Sequence, residues 1–248
     1  MWRTSWLSRE VIALPITMLL IAAYGAAHYL ELTEPLFQMS GGIAVDLTLL
    51  IGLAATIATF ALFVCTGMIY ACIKFLQEWH SPLTVINYTL LGTASGFTLA
   101  TALSAWMKTG LTGFYAGWAL IITVLALIFR LASLRRNRRL RPKSTPQTAI
   151  GVRHSKIQQK SMGAMGGTFN TREYFHGKKE SFVKSTKMIF LVLVFLVPMI
   201  LLGMTFSSPI YLIPAIAFAI QYLGLLAERW YFFADAKHPQ NIYYQSIG

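Results

Sequence analysis

The sequence predicts an all-α membrane protein, a bundle of about six transmembrane helices with a long basic loop. Of its 248 residues, 56% are hydrophobic and only 12% are charged, about half the charged share of a typical soluble domain. The apolar residues fall into long runs, and about 20 apolar residues are enough for a helix to cross a bilayer. No segment shows the alternation of a strand. Lipid is therefore the expected solvent for much of the surface.

Six apolar runs define the predicted spans. They lie near residues 11–30, 47–73, 83–106, 114–129, 188–206 and 210–227. The second run is long for one crossing, so we expect it to tilt or to project beyond the membrane. Residues 130–187 are polar, basic and rich in Gly, Ser and Thr, which predicts a loop. Pro15, Pro198 and Pro214 lie inside runs and are expected to kink them. We treat residues 1–248 as one membrane domain.

The basic residues indicate how the bundle is oriented. The chain has 21 Lys and Arg against 9 Asp and Glu, a net charge of +12. A basic balance can indicate nucleic acid, but here the bases are bunched between apolar runs. With six spans, every Lys and Arg except Lys108 falls on one side, the side of both termini and the 130–187 loop. The positive-inside rule predicts that this side is the cytoplasm of a bacterial inner-membrane protein.

The cysteines and histidines do not indicate a metal or haem site. Cys65 and Cys72 are seven residues apart, roughly 10 Å along a helix and beyond the reach of a disulfide. Without a Cys cluster, an iron–sulfur cluster or a structural zinc is not expected. Of the histidines, only His28 lies clearly within a span. The others are His80, His154, His176 and His238. We expect no metal ligands and no cofactor bound by this chain itself.

Acidic residues at span ends are the candidates for chemistry, because a charge near lipid is costly and tends to be functional. Glu10 opens the first span beside Arg9. The alternative is an acid at a helix N-terminus, where the macrodipole favours it. Glu228 and Arg229 close the sixth span just before a run of aromatic residues. The simpler interpretation of that pair is a helix-end polar pair within an aromatic belt.

The 130–187 loop contains a candidate docking segment. Around residues 168–177 aromatic and charged residues are mixed too evenly for a plain linker, which favours docking to a soluble partner. The alternative is a basic arm that lies on anionic membrane lipid. The candidate docking residues are Arg153, Arg172, Glu173, Tyr174, Phe175 and His176.

Four stretches of the sequence resemble a known family. The stretch Trp6-Leu-Ser-Arg-Glu10, ahead of the first apolar run, resembles the membrane anchor subunits of the dimethyl sulfoxide reductase family. Residues 70–82, 151–177 and 227–239 resemble the branch of that family found with sulfite-oxidising molybdoenzymes. The likeness covers nearly the whole chain.

The resemblance implies a non-catalytic subunit of an oxidoreductase complex. Such an anchor holds a molybdopterin catalytic subunit and an iron–sulfur subunit at the membrane and exchanges electrons with the quinone pool. It carries no haem. The family's quinone-linked acid matches Glu10, next to Arg9. Family members have further spans ahead of the motif at which this sequence begins, and their quinone-linked histidine lies there. The alternatives are a small-molecule transporter and a docking scaffold without quinone chemistry.

Overall fold

The computed structural model describes residues 2–38, 42, 44–141, 145–154, 156–157, 180–207 and 210–237. It is 76% helical, which confirms the predicted all-α bundle. Six helices among the described residues are long and apolar enough to cross a membrane. The helices are α1 Trp6–Tyr29, α2 Leu47–Ala71, α3 Pro82–Met107, α4 Thr112–Arg138, α5 Pro146–Ile150, α6 Glu180–Leu191, α7 Val197–Met204 and α8 Leu212–Ala234. A π-helical turn, Val192–Leu196, joins α6 to α7 in the fifth span.

Several helix ends differ from the prediction, and the largest differences lengthen a helix. The fourth helix passes the predicted end at residue 129 and continues to Arg138. It does so because an apolar face continues beyond Arg130 through Leu131 and Leu134, and Arg130 itself is buried. The sixth span continues to Ala234 instead of residue 227. The predicted loop 130–187 is correspondingly shorter, since helix α6 begins at residue 180.

Contacts within the chain divide it into two compact units, residues 1–71 and 72–248. The assignment of one membrane domain stays a prediction. In the first unit α1 packs along α2. Between them the chain forms a short antiparallel hairpin of β1 Pro35–Gln38 and β2 Ala44–Asp46, which the sequence analysis did not predict. Ser5 caps α1, where its hydroxyl accepts from the N–H of Ser8 at 3.4 Å.

The second unit is built around α8. Helix α8 packs on α3, α6 and α7, while α3 pairs with α4. A buried apolar cluster joins α3, α4, α6, the π-helical turn and α8: Leu91, Ala126, Leu134, Phe190, Val194, Phe195 and Tyr231. A second cluster consists of Ala119, Leu202 and Ala217. These two clusters position the polar groups of α4 and α8 that are described below.

The irregular fifth span follows from Pro198. Proline has no N–H, so the carbonyl of Val194, four residues earlier, loses its helical donor. The buried side chain of Gln221 on α8 supplies a donor instead, with its Nε2 at 3.3 Å from the Val194 oxygen. Gly224, one turn along, lets the two backbones approach closely, because a Cβ there would lie 2.8 Å from backbone atoms of Leu193 and Val194. Pro214, by contrast, lies in the first turn of α8, where proline breaks no hydrogen bond.

Candidate functional site

Three charged side chains form a buried ion cluster in the second unit: Arg130 of α4, and Glu228 and Arg229 of α8. Glu228 has no exposed surface, and Arg130 is only 4% exposed. Arg130 Nη2 lies 2.6 Å from Glu228 Oε1. Arg130 and Glu228 therefore form an ion pair, although the geometry of this contact is not that of a hydrogen bond. Arg229 binds the other carboxylate oxygen twice, with Nε at 2.6 Å and Nη2 at 2.5 Å.

Aromatic rings complete the surroundings of this cluster. The Arg130 guanidinium lies 5.4 Å from the ring centre of Phe190. The Arg229 guanidinium lies close to two rings, 4.2 Å from the ring centre of Tyr88 and 4.8 Å from that of Phe232. Aromatic faces attract cations most strongly where water is excluded. Two guanidinium groups face one carboxylate, so the cluster carries one excess positive charge. Burying these ions is costly, and only full pairing offsets the lost hydration.

A small polar cavity adjoins the ion cluster. Its lining residues come from the segment before α3, from α3 and α4, and from the end of α8: Glu78, Trp79, Thr84, Asn87, Tyr88, Arg130, Ser133, Asn137, Arg229, Tyr231, Phe232 and Asp235. The volume open to the centre of a water molecule is about 10 Å³. That is room for about one water and far too little for a quinone ring.

Buried polar atoms on four of the lining residues have no hydrogen-bond partner in the described part of the chain. They are Glu78 Oε2, both amide atoms of Asn87, Arg130 Nε and Arg229 Nη1. Most buried polar groups in proteins are hydrogen-bonded. Such a concentration of unpaired atoms at one cavity marks it as a place built to bind something polar.

The segment between α2 and α3 closes this cavity and is held firmly. The indole N–H of Trp79 donates to the Phe232 carbonyl at 3.0 Å, and the two rings stack 5.1 Å apart. Arg136 donates to the carbonyls of Gln77 and His80 at 3.0 and 3.1 Å. The segment is therefore clamped to both α8 and α4, and Glu78 is fixed between the clamped residues.

Burial raises the pKa of the Glu78 carboxyl above its ordinary value. The nearby Asp235 carboxylate adds to the rise, while Lys237 and hydrogen bonds from backbone N–H groups oppose it. Glu78 lies outside the six spans. It is thus a carboxyl at the edge of the membrane region that keeps its proton more readily than a free glutamate.

The first unit contains the predicted site residue Glu10. The hydroxyl of Thr66 on α2 donates to Glu10 Oε1 at 2.6 Å, which ties the two helices together. Helix α1 begins at Trp6, and its first turn contains no acid. Glu10 lies beyond that turn, where the helix macrodipole stabilises a negative charge only weakly. This weakens the alternative that Glu10 is simply an acid at a helix N-terminus.

Arg9 is a neighbour of Glu10 in sequence, but its side chain makes different contacts. It donates to the carbonyls of Trp2 and Arg3 at 3.2 and 2.7 Å. Its guanidinium lies 4.1 Å from the ring centre of Trp6. No contact of Arg9 with the Glu10 carboxylate is seen among the described residues. The two predicted quinone-site residues are therefore close in the chain without forming an ion pair.

The other predicted residues have mixed outcomes. Glu228 and Arg229 do pair, but Glu228 is buried at the core of an ion cluster and is not part of an exposed aromatic belt. Arg153 is exposed. The remaining docking candidates lie outside the described residues: Arg172, Glu173, Tyr174, Phe175 and His176. No group of His, Cys, Asp or Glu suited to a metal ion occurs in the part of the chain that the structure describes.

Sequence reasoning missed Arg130, Asn87 and Glu78 as members of a site. It places Arg130 in the loop because this residue is the first charge after a long apolar run. The available signal is the sequence that follows it, Leu131-Ala-Ser-Leu134, which continues the apolar face for another turn. An arginine inside such a run needs a partner within the bundle, and Glu228 is the acid available at the corresponding end of α8.

Comparison with known proteins places the chain in a family. The C subunit of sulfite dehydrogenase from Allochromatium vinosum is 58% identical to it over 247 residues. The match covers 100% of this chain and 76% of the relative. No family model matches the chain, and no solved structure matches it. The broader likeness to dimethyl sulfoxide reductase anchors stays a prediction. With this identity over its full length, the chain belongs to the family of sulfite dehydrogenase C subunits.

Proposed function

We propose that this chain is the membrane subunit of a sulfite-oxidising complex and passes electrons from that complex to the quinone pool. The observation that carries the proposal is the 58% identity to the C subunit of a sulfite dehydrogenase, which extends over all six membrane helices. The relative's designation as a C subunit implies further subunits. We propose that these are an iron–sulfur subunit and a molybdopterin catalytic subunit, as the resemblance to anchor subunits implies.

The chemistry balances in this arrangement. Oxidation of sulfite with one water molecule gives sulfate, two electrons and two protons. Reduction of a quinone to a quinol consumes two electrons and two protons. The catalytic and iron–sulfur subunits supply the electrons. The membrane subunit has to offer the quinone an apolar approach and a group that exchanges protons.

Glu10 is the proposed proton-exchanging group at the quinone. Its carboxylate is half-buried and held by the Thr66 hydroxyl, so one oxygen is fixed while the other can face a bound ring. Trp6, with the Arg9 guanidinium over its ring, provides an aromatic and cationic surface close by in the chain. We assign quinone contact to Glu10 and Arg9 on this basis.

Docking of the soluble subunits is assigned to the basic loop after α4. The positive-inside rule favours a cytoplasmic position for both termini and for this loop. Arg153 is exposed in the described part of the loop, and the segment 172–176 supplies the proposed aromatic and charged contacts. Deletion of residues 151–177 should therefore release the soluble subunits from membranes. Subunits that stay bound at wild-type levels would exclude this docking role.

The test of quinone chemistry is Glu10→Gln in the complete complex in its membrane. We expect sulfite-driven quinone reduction to fall by about tenfold or more, the scale of a lost acid–base group. Sulfite oxidation with an artificial dye should be unchanged, because the dye takes electrons before the quinone site. Glu34→Gln, a change at an exposed acid of the same unit, is the matched control. Normal quinone reduction by an intact Glu10→Gln complex would leave only the scaffold function.

A further inference from the structure

We propose that the lipid-facing side of α4 and the arginines at its end form a binding site for an anionic phospholipid. The acyl chains lie along the apolar part of this side, and Arg135, Arg138 and Arg139 hold the phosphate. The site belongs to the second unit alone. It goes beyond the proposed electron transfer, because it depends only on α4 crossing a membrane.

One side of α4 is apolar and uncovered over most of its length. Six of its large apolar side chains are 41–58% exposed: Phe114, Trp118, Ile121, Leu125, Ile128 and Leu131. They recur every three or four residues, which places them on one side of the helix. Most buried residues of α4 lie on the opposite side: Ala116, Ala119, Thr123, Ala126, Arg130 and Ser133. In a membrane-spanning helix, lipid chains cover the uncovered apolar side.

This apolar series continues into exposed arginines. Positions 121, 125, 128, 131, 135 and 139 follow one another at intervals of three or four residues, and the last two are Arg135 and Arg139. Arg138 lies beside them, and all three side chains are exposed. A helix side that is apolar along its length and basic at its end matches an anionic phospholipid, which has apolar chains and a negatively charged headgroup.

The three exposed arginines lack a counter-ion within the described part of the chain. Their guanidinium groups form no ion pair and no hydrogen bond there. Two other arginines of α4 differ, because Arg130 pairs with Glu228 and Arg136 donates to backbone carbonyls before α3. The sequence contains no acid between residues 79 and 172. An anion from outside the helix therefore fits this end of α4.

The depth of the arginines matches the headgroup layer. A helix rises about 1.5 Å per residue, so the roughly 20 residues from Thr112 to Leu131 cover about 30 Å, the thickness of the hydrocarbon core. Arg135 and Arg139 then lie about 6 and 12 Å beyond the core, and the headgroup layer is about 5–8 Å thick. Helical side chains lean towards the N-terminus, which here is towards the membrane. The guanidinium groups can therefore reach lipid phosphates.

An acidic surface of a soluble subunit is another source of negative charge, but the position of the arginines favours lipid. They continue the same side of α4 that the acyl chains cover, and the first of them lies within the headgroup layer. A lipid molecule contacts both parts of this side at once. A soluble protein reaches only the basic end, and the proposed docking segment, residues 151–177, lies further along the chain.

The test is native mass spectrometry of the full chain in detergent with added phosphatidylglycerol or phosphatidylcholine. The wild type should bind phosphatidylglycerol more tightly than the zwitterionic lipid. Simultaneous replacement of Arg135, Arg138 and Arg139 by Gln should weaken phosphatidylglycerol binding by about tenfold or more and leave phosphatidylcholine binding unchanged, because each base near an anionic headgroup contributes about fivefold. Replacement of the same three by Lys should retain most of the binding. If the Gln variant does not fold, each single Gln change should weaken binding by about fivefold.

The matched control removes the same charge elsewhere, by replacing the exposed Arg3, Lys74 and Lys156 with Gln. It should change phosphatidylglycerol binding by less than about twofold, a small part of what one base contributes. An equal loss in both triple variants, or a wild type without preference for phosphatidylglycerol, would overturn the proposal.

Two further arms separate the lipid from other anions. Inorganic phosphate and glycerophosphoglycerol, the headgroup without its chains, should not displace the bound lipid at equal concentration. Displacement by either would make this a site for a free phosphate and would contradict the role of the apolar side. A triple Gln variant that binds phosphatidylglycerol normally but loses the soluble subunits in the whole complex would assign the arginines to a protein partner instead.

Discussion

Replacement of Glu228 by glutamine tests how much the buried ion cluster contributes to stability. The change keeps the shape of the side chain but removes the charge that pairs with Arg130 and Arg229. Two guanidinium groups would then be left without their counter-ion, around a side chain that has no solvent access, since Glu228 is 0% exposed. Breaking a buried ion pair by removing one partner costs about 3–5 kcal/mol. For a chain of this size that corresponds to a fall in Tm of roughly 6–20 °C.

Arg130→Met is a second variant, which removes only one of the two charged partners of Glu228. In that variant Glu228 keeps both bonds from Arg229, at 2.6 and 2.5 Å. We therefore expect a smaller loss, roughly 1–3 kcal/mol, the cost of leaving one buried polar atom without its partner. Combination of the two changes should cost less than their sum, because they remove the same interaction.

The assay is thermal unfolding of the purified complex, followed by the fluorescence of a thiol dye that reacts with Cys65, which is only partly exposed in the fold; the exposed Cys72 is first replaced by Ser in every variant. Glu34→Gln serves as the control for loss of an exposed acid. If Glu228→Gln unfolds within about 1 kcal/mol of that control, a range typical of surface changes, the cluster does not stabilise the bundle as argued. The same conclusion would follow if the costs of Glu228→Gln and Arg130→Met were simply additive.

Three further predictions concern packing and protonation. Gly224→Ala should destabilise the protein by about 1–3 kcal/mol in the same thermal assay, because the new Cβ would lie 2.8 Å from the backbone of the fifth span. Gly203→Ala is the control: a Cβ at Gly203 would have no atom within 4 Å, so this change should be neutral or stabilising. Glu78→Gln should raise Tm at alkaline pH and less at acidic pH. Burial raises the pKa of Glu78 in the folded protein above its value in the unfolded chain. Protonated Glu78 therefore stabilises the fold fully at a pH below the unfolded-state pKa, and this stabilisation is lost as the pH rises through the folded-state pKa. Glutamine has no charged form and so avoids the loss. The pKa of Asp46 is lowered by hydrogen bonds from the Leu49 N–H and the Thr48 hydroxyl, so Thr48→Val should raise it in an NMR titration of the labelled protein, which has only two aspartates.

The sequence was sufficient for the fold class and for the number of spans. Apolar runs of the right length indicate membrane helices because every segment that crosses lipid must pair its backbone N–H and C=O groups internally, as a helix does. The same reasoning misplaces the end of α4. It treats Arg130 as the first residue outside the membrane, because a charge ends an apolar run when each residue is considered alone. The pairing of Arg130 with Glu228 is a contact between distant parts of the chain, and no local pattern contains it.

At the candidate sites, too, local features could be predicted and contacts between distant parts of the chain could not. Glu10 could be singled out because it is an isolated acid at the start of a span, but its bond to Thr66, 56 residues away, could not. Asn87 lies among the larger residues Val85, Ile86, Tyr88 and Leu90 of α3, and this local sequence does not distinguish it. Its role at the cavity depends on the clamped segment that carries Trp79, which packs on α8 by a bond over a sequence separation of 153 residues. Hairpin β1–β2 was missed because strands of 4 and 3 residues are too short to show alternation.

The most direct measurement of the proposed function is sulfite-driven quinone reduction in membranes with and without this chain, at equal amounts of the soluble subunits. We expect removal of the chain to leave dye-linked sulfite oxidation in the soluble fraction and to abolish reduction of the quinone pool. Return of the chain should restore both membrane attachment and quinone reduction. Quinone reduction that continues at the same rate without the chain would contradict the account.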